Sequence, residues 1–562
     1  MVLSVQQEAA VASGRRRVHI GYEVGPGDDE RMEVVLPYAI GVLSDLSGDA
    51  AADGPPLEAR RWAPADADSL PALLAHLRPC LALDVPNRLA GGGTLHVELA
   101  FGALEDFAPA GVVRQVEALR KAAGGTSPEA RAAVCEQLNL ILHHERFRRL
   151  EGAWRGLTWL AERMGADRSV RLCVLDVSKA ELRQACEQWP GDARERGPLF
   201  ERVYHDAFSV HGGEPLSVLV GDYDFDAGPA DVELLTALGQ AAAAAHAPLL
   251  AAAGAALFGM ESWQQLAQRA RPGQALEPPT SDAWQALRRS EAARYLALAL
   301  PRFLARPAWT GERIALGLHF DEDTPAGNAD RHVWCNAAYA LAANVARSAR
   351  RWGWPARIRG FMSGGLIESL PTATFLADHG KPRPGCPTEV ALTERREAEL
   401  DRAGLLPLSH WKGTDSAVFF GAQGLHEPAP RADQDATVAA TLGSRLPYLL
   451  AACRFAHYLK RIALDAGDLF EGPDHLQECL NRWLSDYVGT PGDDADEAEA
   501  DTARRPLAFA EVRVGREFTV PAACHDRRRY YAAELLIQPR HQLEGLSAPL
   551  RLSLRLPAPP RP

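Results

Sequence analysis

At 562 residues the chain is too long for a single core, and its length points to three or four domains; 47% hydrophobic and 24% charged side chains are an ordinary soluble globular composition. A net charge of −12 and a pI near 5.8 exclude a nucleic-acid binder at the level of the whole chain, leaving only a local basic patch open. The nine cysteines are odd in number and none has C-x-x-C spacing, which argues against a disulfide framework and for reduced, mostly buried thiols in a cytosolic protein.

The opening stretch MVLSVQQEAAVASGRRR has its charges after its apolar residues, the reverse of a signal peptide, and residues 1–16 read as a flexible arm. Residues 17–24 then alternate: Val18, Ile20, Tyr22 and Val24 point one way, His19, Gly21 and Glu23 the other, as in a half-buried strand. Gly25–Asp28 is a turn, and the strand resumes at Met32–Leu36. Ser69–Leu77 predicts a short helix with Pro71 in its first turn, Thr94–Phe101 an alternating strand, and Pro109–Lys121 a helix burying Val112, Val113, Val116 and Leu119.

Gly124–Pro128 is a boundary, with Ser127 as helix N-cap and Pro128 at the first helical position. The helix it opens carries Val134, Leu138, Ile141 and Leu142 into His143-His144. Beyond it, helical and strand patterns alternate, and the continuous apolar runs Val170–Asp176 and Leu216–Val220 predict strands buried on both faces. This favours an α/β layer with some parallel strands, and Arg313–Phe320 and Ala356–Met362 are further strand candidates. Ala241–Phe258 is apolar but alanine-rich and broken by Pro248, so it predicts two buried helical pieces rather than a membrane span. Residues 489–504 hold six carboxylates between Asp493 and Asp501 and read as a solvated loop. Three strands follow, Leu507–Val514, Tyr530–Gln538 and Pro549–Leu556; in the last, Leu550, Leu552, Leu554 and Leu556 share one face.

Motifs that could carry chemistry fail in detail. Asp222, Asp224, Asp226 and Glu233 have calcium-loop spacing, but Ala227 stands where that loop needs glycine, and a strand precedes it instead of a helix. His143 and His144 diverge on a helix and have no partner at metal-ligand spacing. Ser363 misses the G-x-S-x-G spacing, and no phosphate-binding glycine loop is present. Lys412 and Asp415 are expected to form a structural ion pair across a turn. The sequence therefore predicts no catalytic residue, no metal and no cofactor.

Several blocks resemble one family. WCNAAYALAANVARSARRWGWPARIRG (334–360), GGLIESLPT, CPTEVALTERREAELDRAGLLPL and KGTDSAVFFGAQ (412–423), with ILHHERFRRLEGAWRGLTWL (141–160) and LPYLLAACRFAHYLKRI (446–462), look like the large sheath subunit of the type VI secretion system, TssC or VipB. RVHIGYEV, LPYAIGVLSDLSG, PCLALDVPNRLAGGGTLHVELAFGALEDFAP and VVRQVEALRK resemble the small subunit, TssB or VipA. The resemblance divides the chain into a TssB-like part (17–121), a fusion linker with a short helix (122–140), a TssC-like body (141–488), the acidic loop and TssC-like C-terminal strands (505–562). It implies a multi-domain fold of mixed α/β class, with mixed sheets flanked by helices and a β-rich C-terminal region.

The same resemblance implies a cytoplasmic structural protein, not an enzyme. Such subunits polymerise around an inner Hcp (TssD) tube docked on a baseplate and contract to drive the tube into a target cell; ClpV takes contracted sheath apart. The expected partners are further copies of the fused chain, the tube and the baseplate, with no nucleic acid and no membrane insertion. The helical lead that the family places before the ILHH block is reduced here to about twenty residues, so ClpV recognition is expected to be weak or absent. Strand exchange between neighbours can hold a polymer together while its subunits rotate. Val18, Ile20, Tyr22 and Val24, with Leu550, Leu552, Leu554 and Leu556, are the expected exchange strands, the alternative being that both complete the chain's own sheet. Arg527, Arg528 and Arg529 are either a contact for an acidic tube surface or a solvated turn. The alternative function is a non-contractile scaffold, cap or adaptor.

Overall fold

A computed structural model describes residues 17–558 apart from 25–31, 126, 166, 211, 269–275, 277–278, 316, 326–328, 377–381, 430–433, 467–469, 490–503, 522–526 and 541–547. The strands used below are β1 (Tyr22–Val24), β2 (Met32–Val34), β3 (Tyr38–Ser44), β4 (Ala63–Pro64), β5 (Cys80–Pro86), β6 (Thr94–Ala100), β7 (Val170–Asp176), β8 (Leu216–Phe225), β9 (Leu249–Ala253), β10 (Leu296–Leu300), β11 (Leu366–Ile367), β12 (Leu405–His410), β13 (Ala417–Phe419), β14 (Leu507–Pro521), β15 (Arg527–Pro539) and β16 (Leu550–Pro557). The helices are α1 (Leu70–Leu77), α2 (Pro109–Gln115), α3 (Glu117–Ala123), α4 (Pro128–Leu142), α5 (Glu145–Met164), α6 (Lys179–Gln188), α7 (Pro229–Ala245), α8 (Ala337–Trp352), α9 (Leu446–Asp465) and α10 (Pro473–Ser485).

A nine-stranded sheet organises the molecule in the order β11-β13-β12-β10-β9-β8-β3-β7-β4. Its six central strands, β12 to β7, run parallel. β3 sits between β7 and β8, with Ile40 opposite Leu172 on one side and Val218 on the other. Every residue of β3 is buried because helices cover both faces. Ile40 and Val42 enter a core with Trp154 and Tyr339, whereas Ala39 and Leu43 enter the opposite core with Leu235 and Phe455. α8 crosses the first face, and its buried alanines let it lie close to the strands. α7 and α9 cover the second face. α5 packs on α8 with Gly156 against the Tyr339 ring, where a Cβ would sit 2.6 Å from the nearest ring carbon.

α1, β6 and the Ser127 cap form as expected; the Ser127 hydroxyl accepts the Ala130 N–H at 3.1 Å. Four expectations change. Pro109–Lys121 is two helices, because Val116 is extended (φ −88°, ψ 106°), and this break lets Val112, Val113, Val116 and Leu119 all be buried. Arg313–Phe320 is a hairpin of Glu312–Ala315 and Leu318–Phe320, turned by Gly317 at φ 71°. Ala356–Met362 forms no strand beyond a single bridge of Arg359 to Gly364. In Ala241–Phe258, α7 ends at His246 in the left-handed conformation and Leu249–Ala253 is strand β9, since the slot between β8 and β10 supplies ladder partners on both sides. No helix among the described residues is long and apolar enough to cross a membrane.

Candidate assembly interface

The N-terminal segment is seated by side chains from near the other end of the chain. Val18, Ile20 and Tyr22 are buried, while His19 and Glu23 face outward, as the alternation predicts. Only Tyr22–Val24 makes a ladder, pairing with Met32–Val34, because the backbone before it is bonded elsewhere. The Val18 N–H donates to the Trp352 carbonyl at 2.8 Å. Tyr458 of α9 donates its hydroxyl to the Ile20 carbonyl at 2.6 Å and accepts the Leu36 N–H at 3.0 Å. Trp483 of α10 donates to the Gly21 carbonyl at 2.8 Å, and the Tyr487 hydroxyl bonds both polar groups of Gly21. Arg454 donates to the carbonyls of Leu36 and Pro37. Tyr22 donates to the Asp465 carboxylate, and burial with that carboxylate pushes the phenol pKa up.

The resemblance marks α9 as a family block but does not reveal that it carries this seat. The signal was there: Arg454 and Tyr458 are four residues apart on a helix where nearly every side chain is buried, so both must find polar partners. Lys460, on the same helix, is fully buried. It donates to the Ala244 carbonyl at the C-terminus of α7 and to His246 Nδ1 at 2.9 Å, and lies over the Tyr204 and Phe208 rings. Burial lowers its pKa well below that of an ordinary lysine.

At the C-terminus, β14, β15 and β16 form a three-stranded antiparallel sheet in that order. Leu550, Leu552, Leu554 and Leu556 all face the chain's own core. Within one chain the apolar faces of both predicted exchange strands are buried in its own core, and β1 and β16 lie at sheet edges. The outer edge of β14 is capped: Asn481 bonds both the N–H and the carbonyl of Val512 at 2.8 Å, and Gln477 accepts the Val514 N–H at 2.8 Å. Beside β16 lies a cavity of about 620 Å³, lined by Trp189, Phe200, Ala241, Leu554 and Arg555 among others. Arg527, Arg528 and Arg529 open strand β15 and are not a turn, pairing in register with Pro521, Val520 and Thr519. The Arg529 guanidinium is held by Glu517 through bonds of 2.6 and 2.9 Å.

The motifs weighed for chemistry are engaged in structure. Asp222 is half-buried, accepts from Ser44 and Tyr339, and is pushed up to about 6 by desolvation of its carboxylate. Asp226 accepts the Gly228 N–H just before α7. His144 caps α5, and His143 lies 3.4 Å from Glu322, which is itself bound to the buried Arg306. Lys412 and Asp415, both described, form no ion pair; Asp415 accepts from Ser416, and the turn is held instead by Thr414 donating to the Trp411 carbonyl. Among the described residues no three His, Cys, Asp or Glu side chains are placed to hold a metal.

Three family models tile the chain. Residues 129–426 match the tail sheath N-terminal domain of the EvpB/VC_A0108 (VipB) family, and residues 435–556 match its gpW/gp25-like domain. The chain belongs to the type VI secretion VipB sheath family. Residues 12–127 match the type VI secretion VipA model. The sheath protein TssC1 of Pseudomonas aeruginosa is 42% identical over 428 residues, covering 76% of this chain and 84% of TssC1. TssB1 of the same organism is 37% identical over 105 residues, covering 19% of this chain and 60% of TssB1. A contracted helical sheath of the anti-feeding prophage superposes over 92% of this chain and 90% of its own, at 12% identity and a TM-score of 0.32.

The chain is thus a structural sheath subunit in which VipA-like and VipB-like sequences are fused. The two parts interleave: β3, from the VipA-like part, is a central strand of the sheet that the VipB-like part builds.

Proposed function

We propose that this chain polymerises, as the single repeating subunit of a cytoplasmic sheath, around an inner Hcp tube docked on a baseplate, and that contraction of the polymer propels the tube into a target cell without any catalysis by the chain. The observation that carries this reading is the presence of both sheath partners in one polypeptide, joined through one sheet. Interleaving fixes the two parts at equal number and makes each fused chain a rigid building block. Contacts between blocks then fall to the edges: the β1–β2 hairpin and the β16 edge of the C-terminal sheet, where added strands would supply main-chain hydrogen bonds that survive rotation of the blocks. Val18, Ile20, Tyr22 and Val24, with Leu550, Leu552, Leu554 and Leu556, would hold those edges in place from the core side.

Reduced ClpV recognition is supported by the packing of α4. Its Val134, Leu138, Ile141 and Leu142 are buried, and Gln137 accepts the Arg88 N–H and donates to the Pro86 carbonyl. A helix held this way is not free to be presented to an unfoldase. Electron microscopy of the chain, alone and with its tube protein, tests the proposal. Long hollow cylinders are expected, and adding ClpV with ATP should leave contracted ones intact. Rings or monomers only, with tube and baseplate present, would favour the cap or adaptor; rapid ClpV disassembly that needs residues 128–140 would refute the reading of α4.

A further inference from the structure

The C-terminal end of α8 carries an unusual concentration of cations. Residues 331–367 contain six arginines and not one Asp or Glu. Arg351 and Arg357 are exposed and stack on the Trp352 ring, with guanidinium carbons 5.1 and 4.2 Å from its centroid. Neither has a carboxylate partner among the described residues. Arg17 reaches the same corner: the next residue, Val18, bonds the Trp352 carbonyl, and the Arg17 side chain lies beside Gly353. Asp167 is the nearby carboxylate; hydrogen bonds from Ser169 hold its pKa down against its partial burial, with Arg17 and Arg350 adding to the effect. Two guanidinium groups fixed on one indole are oriented forks for carboxylates, since stacking leaves their N–H edges free for bidentate bonds.

We propose that this arginine–tryptophan corner is a docking site for a carboxylate-rich peptide segment, and that its occupant is the chain's own run Asp493–Asp501. Charge and chain path both select it. The run holds six carboxylates in nine residues, and its flanking Arg504 and Arg505 can neutralise only two of them. It follows Gly489, whose N–H is pinned to the Leu507 carbonyl at 2.9 Å. Two residues earlier, the Tyr487 hydroxyl is bonded to Gly21, which is three residues from Val18 and so about 10 Å of chain from the corner. The seventeen residues 490–506 reach up to roughly 27 Å from their pinned ends, enough to lay the acidic run across Arg17, Arg351 and Arg357. Docking there would neutralise the basic corner from which residues 1–16 depart.

Cleavage of the full chain by Glu-C protease after Glu497 and Glu499 tests this, against a free peptide of residues 488–506 in the same buffer. At low salt the chain is expected to be cut about tenfold more slowly than the peptide, the protection disappearing at high salt. The double variant R351E/R357E should lose it at low salt. So should D493N/D494N/D496N/D501N, which keeps both cleavage sites and changes none of the arginines of the corner. Cleavage as fast as in the peptide, or protection unchanged in both variants, overturns the proposal. Protection that grows with protein concentration also overturns it, by assigning the acidic run to a second copy.

Discussion

His457 shows how a single buried group sets the response to acid. It is fully buried on α9, its Nε2–H bonds the Ala245 carbonyl at 3.1 Å, and among the described residues no carboxylate faces it. Burial, with Lys460 and Arg454 nearby, lowers its pKa to about 3. A depressed folded pKa on a histidine means the neutral form is held in the fold. The stability it represents is complete above the unfolded value near 6.5 and is lost as pH falls toward 3, at up to about 1.4 kcal/mol per pH unit. Asp222 acts oppositely: its raised pKa, about 6, contributes stability below pH 4 that is lost as pH rises through 6. His457→Gln, which keeps a donor for Ala245, should reduce the fall in unfolding free energy, from urea titrations at pH 6.5 and 4.5, by about 2 kcal/mol. Slopes parallel to the parent's would show that His457 is not held neutral.

At the level of elements, the edge of β14 decides whether strand addition is controlled. Asn481 and Gln477 occupy three backbone groups of Val512 and Val514 that a neighbouring strand would otherwise use. Asn481→Ala with Gln477→Ala should cost about 1–3 kcal/mol, because these half-buried groups lose their partners, and should raise self-association at a given concentration. Sedimentation velocity reads the second effect. A destabilised chain whose self-association is unchanged from the parent's would mean that this edge is not used for assembly. The alternating residues of β16 were legible in the sequence, but these side-chain caps were not, since Asn481 and Gln477 look like ordinary polar positions of an exposed helix face.

For the whole molecule, the position of β3 makes the fusion structural. A fragment beginning after the VipA-like part would leave β7 and β8 without the strand between them, and both cores without Ile40, Val42, Ala39 and Leu43. Chains cut between Gly124 and Gly125 should therefore be insoluble when each piece is expressed alone and should co-purify as one soluble complex when expressed together. A stable, monomeric 125–562 fragment with native-like circular dichroism would show that the sheet closes without β3.

The sequence by itself determined the class, the family and the local signals. Buried runs at Val170–Asp176 and Leu216–Val220 are continuous because both faces of a parallel sheet are covered, and the Ser127-Pro128 cap is chemistry of adjacent residues. The tertiary structure decided what depends on partners distant in sequence. Leu249–Ala253 is a strand because β8 and β10 flank it, although its alanines suit a helix. Val18–Gly21 leaves the ladder because Trp352, Tyr458, Trp483 and Tyr487 take its backbone groups. No local pattern encodes those partners, which lie more than 300 residues away; the requirement that buried backbone groups be bonded selects them once the chain has closed.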